Sequence, residues 1–144
     1  MRASYLPFEL GHLDFFEPRD DFENLRRDMG ENLQNPSISL VTVTLAKQIL
    51  MIAGCTKFRA GVGEVWLLLD KCYERNKIRM VAATKELMME CLVKELGYYR
   101  LQMAIDANIP ERKRWAEFLG FEKEGLMKSY DTTGADHFLY ARLF

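Results

Sequence analysis

Few side chains in this sequence have the types and the spacing that catalysis or metal binding requires. The three cysteines, Cys55, Cys72 and Cys91, include no Cys-x-x-Cys pair, so neither a disulfide framework nor a zinc site is indicated. Each cysteine has apolar neighbours, which favours a small buried side chain. His12 and His137 have no nucleophile or second ligand nearby in sequence, so both are interpreted as ordinary surface or loop residues. The sequence predicts no metal site.

The charge balance excludes some classes of partner. Twenty lysines and arginines oppose 21 aspartates and glutamates over 144 residues, which disfavours a nucleic-acid-binding module. The basic run 112–114 is either the solvated face of a helix or a contact for an acidic partner or a phosphate. Apolar stretches fall short of the roughly 20 residues that a membrane helix needs, and no secretory signal is visible. We therefore expect a cytoplasmic protein without membrane segments.

The hydrophobic pattern predicts three strands in the first half of the chain. Partial alternation and β-branched residues mark the first, a turn at Ala46 and Lys47 separates it from the second, and Gly61 begins the turn before the third. The third is continuously apolar, as expected for a strand buried on both faces. The predicted strands are 37–45, 48–56 and 64–69. Acidic residues at 20 and 21 suggest a short helix over 20–29.

The second half predicts helices alternating with strands. Apolar residues recur every three or four positions over 79–96, and Gly97 follows where a helix commonly ends. Pro110 suits the first turn of a second helix. The predicted elements are a helix 79–96, a strand 98–105, a helix 110–119 and a hairpin over 122–144 around Thr133 and Gly134. The pattern predicts a single domain over 1–144 of the α/β (α+β) class, with a mixed, mostly antiparallel central sheet and helices on both faces.

The stretch from Leu96 to Gly125 resembles the GNAT superfamily of acyl-CoA-dependent N-acyltransferases. The resemblance consists of several features in order: Leu-Gly at a helix end, the strand after it, Asn108, a helix, and Gly120-Phe121 closing the helix. It implies a GNAT-like fold, an acetyl-CoA donor and an amine acceptor, which is a small molecule or a protein. The overall layout also resembles the GNAT-like proteins of short-tailed phages called internal virion protein A, including the segment Leu13 to Phe16.

The resemblance also implies where the cofactor would bind. About twenty residues before Gly97, the segment Lys77 to Ala82 corresponds to the family's Arg/Gln-x-x-Gly-x-Gly/Ala pyrophosphate loop, and Met80 takes the place of a glycine. Backbone amides at a helix start hold the phosphates in such a loop. Met80 is expected to place a long side chain on that surface, so that Met80→Gly would tighten binding. The implied cofactor-binding residues are Leu68, Leu69, Lys77, Arg79, Met80, Ala82 and Asn108.

The resemblance implies one catalytic residue and the loss of another. Glu64 corresponds to the glutamate that can deprotonate the amine, although the residue type and position alone favour a glutamate that simply solvates the end of a strand. Ala116 stands where the family has the tyrosine that protonates the departing thiolate. Asn108 is either a cofactor contact or an ordinary turn or helix-cap residue.

Two functions remain open at this point. One is an N-acetyltransferase that uses acetyl-CoA, and the other is an inactive GNAT-fold phage protein that binds a host or virion protein. The departures at Met80 and Ala116 favour the second, whereas the stretch 96–125 favours the first. Exposed strand edges near the C-terminus are compatible with a monomer or a homodimer. A phage-encoded chain would be found in the host cytoplasm or in the virion.

Overall fold

The computed structural model describes residues 3–18 and 25–144. Their strands form one mixed sheet in the order β1-β2-β3-β4-β5-β7-β6. β4 and β5 are parallel, whereas the pairs β1–β2, β2–β3, β5–β7 and β6–β7 are antiparallel. The strands are β1 (Ser4–Pro7), β2 (Ile38–Leu45), β3 (Gln48–Arg59), β4 (Val62–Leu69), β5 (Arg100–Asp106), β6 (Glu122–Met127) and β7 (His137–Leu143). The predicted mixed, mostly antiparallel sheet is confirmed.

The described residues contain three α-helices, α1 (Leu25–Gln34), α2 (Lys77–Leu87) and α3 (Pro110–Phe118). α2 continues as a π-helical segment, Met88–Glu95, and short 3₁₀ helices cover Leu10–Phe15 and Lys71–Arg75. The predicted helix over 20–29 overlaps α1, and its first five residues lie outside the described residues. No helix in the described part of the chain is both long and apolar enough to cross a membrane.

The turns follow the predicted positions. Ala46 and Lys47 have φ values of 49° and 67° and join β2 to β3 as a two-residue hairpin turn, although such turns usually contain asparagine or glycine. Gly97 has a φ of 74°, and its N–H donates to the carbonyl of Val93 at 3.1 Å. Tyr98 donates to Leu92 at 3.0 Å. Gly97 therefore ends the long helix in the left-handed conformation that the sequence predicted.

The described residues form two compact units. The first unit comprises Met1–Lys57 and Val65–Ala83, and its hydrophobic core joins the N-terminal segment to β3 and β4. Burial of these side chains removes apolar surface from water, which is the main favourable term in folding. The buried residues of this cluster are Phe8, Phe16, Met29, Ile49, Ile52 and Leu68.

The second unit comprises Phe58–Glu64 and Thr84–Phe144. Alternation along β5 organises it: Leu101, Met103 and Ile105 are buried, while the residues between them are half-buried. In α3, Ala116 is fully buried. One face of β5 therefore belongs to the core, and the opposite face presents polar side chains.

Candidate functional site

A buried carboxylate fixes the chain between β4 and α2, in the first unit. Asp70 follows β4 directly and is only 6% exposed. One of its oxygens accepts the N–H of Glu17 at 2.7 Å, and the other accepts the N–H of Cys72 at 2.9 Å. The second hydrogen bond holds the start of the 3₁₀ helix that leads into α2. Asp70 thereby joins the N-terminal segment to the 3₁₀ helix that precedes α2.

The first turn of α2 presents backbone N–H groups. The first hydrogen bond of the helix is donated by Met80 to the carbonyl of Asn76 at 3.0 Å. The amides of Ile78 and Arg79 precede it, so helix geometry gives them no partner within α2. Both side chains are exposed, and Ile78 is 86% exposed. Such a helix start attracts an anion through its N–H groups and its dipole.

Glu64 lies on β4 in the second unit, beside β5. The parallel pairing joins Val62 to Arg100, Gly63 to Leu101 and Glu64 to Gln102. Glu64 is half-buried, and burial raises the pKa of its carboxyl group above the usual value. A carboxylate with a raised pKa is a stronger base than one in water, because the protonated form is favoured by its surroundings.

No sequence model of a known protein family matches the chain, and no curated protein matches it either. Solved structures do match. A variant of the spermidine N-acetyltransferase SpeG from Vibrio cholerae superimposes with a TM-score of 0.78 at 13% identity, over 99% of this chain and 94% of that one. The Salmonella typhimurium acetyltransferase that modifies the N-terminal serine of a 50S ribosomal subunit protein gives a TM-score of 0.82 at 12% identity, over 100% and 96%. The fold is that of the GNAT acetyltransferases.

The side chain of Met80 does not lie on the surface of α2, where the sequence analysis expected it. Its side chain is fully buried, and its N–H already donates to Asn76. The expectation that Met80 places a long side chain on the phosphate-facing surface is therefore wrong. The reason is helical periodicity: the exposed residues at the start of α2 are Lys77, Ile78 and Arg79, whereas the next residue turns inward.

The other residues predicted to bind the cofactor differ in how far their side chains are exposed to solvent. Leu68 belongs to the core of the first unit, so only its backbone can face a ligand, and Leu69 is half-buried. Lys77 is exposed and its ammonium group lies 2.6 Å from the carboxylate of Glu74. Ala82 is exposed but lies more than a turn into α2. Arg79 is thus the predicted basic residue whose exposure and place in the first turn best suit a phosphate.

Asn108 has a turn geometry. Its N–H donates to the side chain of Asp106 at 2.9 Å, and its own side chain is exposed. The residue that caps α3 is Ile109, which provides no side-chain cap. Of the two alternatives to a cofactor contact, the turn residue is correct and the helix cap is not.

A cluster at the start of β7 was not predicted from the sequence. His137 was interpreted as an ordinary surface or loop histidine, but it begins β7, its side chain is 14% exposed, and Nε2 lies 3.1 Å from the carboxylate of Asp131. Tyr130 packs on the His137 ring with the two centroids 5.1 Å apart. The six-residue spacing of Asp131 and His137 around a glycine-containing turn was the available signal.

Asp106, Asp131 and His137 also bring three potential metal-ligand atoms within 4.8 Å of one another. One oxygen of Asp131 already accepts the N–H groups of Thr133 and Ala135 and the Thr133 hydroxyl. The other oxygen faces His137. These hydrogen bonds explain the position of Asp131 without a metal ion, because they hold the residues from 131 to 137 in a fixed turn.

The cysteines are free thiols. Cys55 and Cys72 are buried, as predicted, and Cys91 is half-buried. Burial, followed by a hydrogen bond to Asp70, raises the pKa of the Cys72 thiol to about 11. A thiol with so high a pKa is protonated at neutral pH and is a poor nucleophile.

Proposed function

We propose that this protein transfers the acetyl group of acetyl-CoA to a primary amine. The observation that carries the proposal is the exposed first turn of α2 in a chain with the GNAT fold. Its N–H groups and the guanidinium group of Arg79 together suit a pyrophosphate. The buried side chain of Met80 removes the main objection to this site, because that side chain does not stand between the amides and a ligand.

The donor site would use backbone more than side chains. The amides of Ile78 and Arg79 would hold the pyrophosphate, with Arg79 and Lys77 adding positive charge. The backbone of Leu68 and Leu69, at the end of β4, would face the rest of the acetyl-CoA tail. Asn108 and Ala82 would be further contacts to acetyl-CoA. Met80 would not touch the ligand and would support the start of α2 only from the core.

Glu64 would act as the general base. The amine must lose a proton when its nitrogen attacks the thioester carbonyl, and a positioned base contributes about 10²–10⁴-fold to such a step. The half-buried position of Glu64 and its raised pKa suit this role. The acceptor class is an amine of either kind found among the structural neighbours, a polyamine such as spermidine or the N-terminal amine of a protein.

A second candidate function is that of an inactive GNAT-fold protein which binds another protein, as the resemblance to the phage proteins implies. The observation that favours it is the full burial of Ala116, the residue that the resemblance aligns with the family's proton-donating tyrosine. A buried alanine supplies no proton to a leaving thiolate. This candidate differs from the first in predicting no turnover.

The test is an acetylation assay with mass-spectrometric detection of the product. The protein is incubated with acetyl-CoA and either spermidine or a peptide with an N-terminal serine. We expect one of these amines to be acetylated, and Glu64→Gln to lower kcat by about 100-fold or more. Glu122→Gln, an exposed glutamate of the same unit, is the matched control and should retain activity. No product from either amine, together with no binding of acetyl-CoA, would favour the inactive binding protein.

A further inference from the structure

Glu64 and Gln102 are neighbours on two strands of the second unit. They are partners in the parallel pairing of β4 with β5, and neighbouring strands of a sheet lie about 4.8 Å apart. Leu101 and Met103, which flank Gln102 in β5, are buried, whereas Gln102 itself is half-buried. Since successive side chains alternate between the two faces of a sheet, Gln102 and Glu64 share the face that is opposite to this core.

The carboxamide of Gln102 has an orientation that its neighbour Arg100 determines. Nε and Nη2 of Arg100 both donate to the oxygen Oε1 of Gln102, each at 3.3 Å. Arginine has five N–H donors and no acceptor, so only the oxygen of the carboxamide can face it. The NH2 group of Gln102 therefore points away from Arg100 and has two hydrogens to donate.

Arg100 is itself held in place by an ion pair. Its Nη1 and Nη2 atoms donate to the two carboxylate oxygens of Glu124 at 2.9 and 2.5 Å. Because β7 lies between β5 and β6 in the sheet, this bidentate contact spans one strand. Glu124 also offsets the positive charge of Arg100. Arg100 therefore acts on Gln102 by fixing its orientation, and it adds no uncompensated charge to this face.

The NH2 group of Gln102 and the carboxylate of Glu64 both have unused hydrogen-bonding capacity. Within residues 3–18 and 25–144, no group accepts a hydrogen bond from Nε2 of Gln102, and none donates one to the Glu64 carboxylate. Both side chains are half-buried, so solvent reaches them only in part. Polar groups in such a position gain free energy when a ligand supplies the missing partners. The pair therefore offers a ligand one donor group and one acceptor group side by side.

The N-terminal residue of a peptide matches this pair. Its amine and its carbonyl group are attached to the same carbon atom, so the two lie within one strand spacing of each other. The ammonium form can donate to Glu64, while the carbonyl oxygen can accept from the NH2 group of Gln102. A protonated polyamine carries only donors and has no acceptor for Gln102. A site built around a donor disfavours a ligand that leaves that donor unpaired.

We propose that Gln102 binds the first carbonyl group of the acceptor, and that the acceptor is the N-terminal amine of a protein or peptide. This inference rests on the proposed acetyltransferase function and decides between the two kinds of amine which that function leaves open. Glu64 holds the amine, and Gln102 selects for the carbonyl group beside it. Arg100 and Glu124 are positioning residues, because they act only through the orientation of the Gln102 carboxamide.

The experiment compares two acceptors that share an amine and a hydroxymethyl group. Serinamide also carries the carbonyl group, whereas 2-amino-1-butanol has an ethyl group in place of the carboxamide. We expect the wild-type protein to prefer serinamide in kcat/KM, and Gln102→Leu to lower this preference by about tenfold through loss of the hydrogen bond. Gln48, exposed at the start of β3, provides the matched control, and Gln48→Leu should keep the wild-type preference. A general loss of folded protein does not change this ratio.

A double-mutant cycle with Arg100→Met tests the positioning role. Arg100→Met should lower the preference for serinamide in the wild-type background and have no further effect in the Gln102→Leu background, because it acts through the carboxamide. If Gln102→Leu keeps the wild-type preference, or if the wild-type protein prefers 2-amino-1-butanol, the inference is overturned while the acetyltransferase stands.

A binding measurement separates this inference from the proposed function. If the wild-type protein acetylates none of these amines, the proposed function fails, and calorimetric titration with a peptide that has an N-terminal serine decides the inference. Binding that weakens about tenfold in Gln102→Leu supports the contact with the carbonyl group. No binding, or equal binding to the wild-type protein and Gln102→Leu, overturns it.

Discussion

Ile78 and Met80 lie two residues apart at the start of α2, yet the Met80 side chain is fully buried and that of Ile78 is 86% exposed. The first apolar side chain of α2 that packs into the core is therefore that of Met80, which directly follows the residues whose amides are available to a ligand. The core-facing methionine anchors the first turn, and the exposed residues before it form the surface.

Met80→Ala tests this division. Truncating the side chain removes buried atoms and leaves a cavity, so we expect a loss of about 2–5 kcal/mol in the free energy of unfolding. Ile78→Ala, the matched exposed control, should change it by less than about 0.5 kcal/mol. Urea denaturation followed by circular dichroism measures both. Equal losses in the two variants would contradict the burial of Met80, and Met80→Gly is expected to destabilise the protein without tightening acetyl-CoA binding.

Asp70→Ala should remove the carboxylate that joins the N-terminal segment to the approach to α2. Two backbone N–H groups, of Glu17 and Cys72, would lose their acceptor. Each unsatisfied buried donor costs about 1–3 kcal/mol, so the expected destabilisation is about 2–5 kcal/mol by chemical denaturation. Amide exchange of Cys72 should also become faster. Asp14→Ala, on the surface of the same unit, should cost less than about 1 kcal/mol, and a similar cost for Asp70→Ala would argue against the clamp.

The hydrogen bonds of Asp131 give the stability a pH dependence of known sign. The Thr133 hydroxyl, the Ala135 N–H and His137 lower the pKa of Asp131 well below its usual range. A carboxyl group whose pKa falls on folding stabilises the native state above its unfolded pKa, near 3.9, and loses that effect as the pH falls through the folded value. Asp131→Asn should therefore destabilise most at neutral pH, with the difference from wild type shrinking in acid.

Thr133→Val is the companion variant for Asp131, because it removes the largest contributor and keeps the carboxylate. It should show a smaller pH dependence of the same sign. Denaturation midpoints between pH 7 and pH 2 measure both variants. A difference between wild type and Asp131→Asn that stays constant over this range would show that the carboxylate's charge plays no part.

Glu64→Gln should lower the acetylation activity and raise the stability of the folded protein. Burial raises the pKa of Glu64, so folding disfavours the ionised form. The penalty is absent at low pH, where the group is protonated in both states, and it develops as the pH rises through the unfolded and then the folded pKa. We expect Glu64→Gln to raise the thermal midpoint at pH 7 and to match wild type in acid. A lower midpoint at pH 7 would mean that Glu64 makes stabilising contacts when ionised.

Local pattern predicted most of the secondary structure. These signals involve only a few neighbouring residues, namely the alternation in β2 and β5, Gly97 at a helix end and Pro110 at a helix start. The structure confirms each of them. β1 was missed because four residues, of which three are exposed, carry no alternating pattern. Its pairing with β2 is a tertiary contact, which cannot be predicted from the sequence of so short a segment.

The candidate site was predicted less well, for a related reason. The resemblance located the start of α2, but it could not say which side of the helix each residue would face, so Met80 was placed on the surface. His137 and Tyr130 were missed because their neighbours come from β5 and from a hydrogen-bonded turn. Pairing of residues distant in sequence decides such clusters, and the local pattern of a single sequence does not reveal that pairing.

Calorimetric titration of the wild-type protein with acetyl-CoA, alongside Arg79→Gln and the exposed helix control Lys85→Gln, tests the central claim most directly. The account predicts saturable binding that weakens about tenfold in Arg79→Gln, as expected from the loss of a charge-assisted contact worth roughly 1.4 kcal/mol, and that is unchanged in Lys85→Gln. No heat and no thermal stabilisation at millimolar acetyl-CoA would contradict it, since a ligand well above its Kd must stabilise the native state.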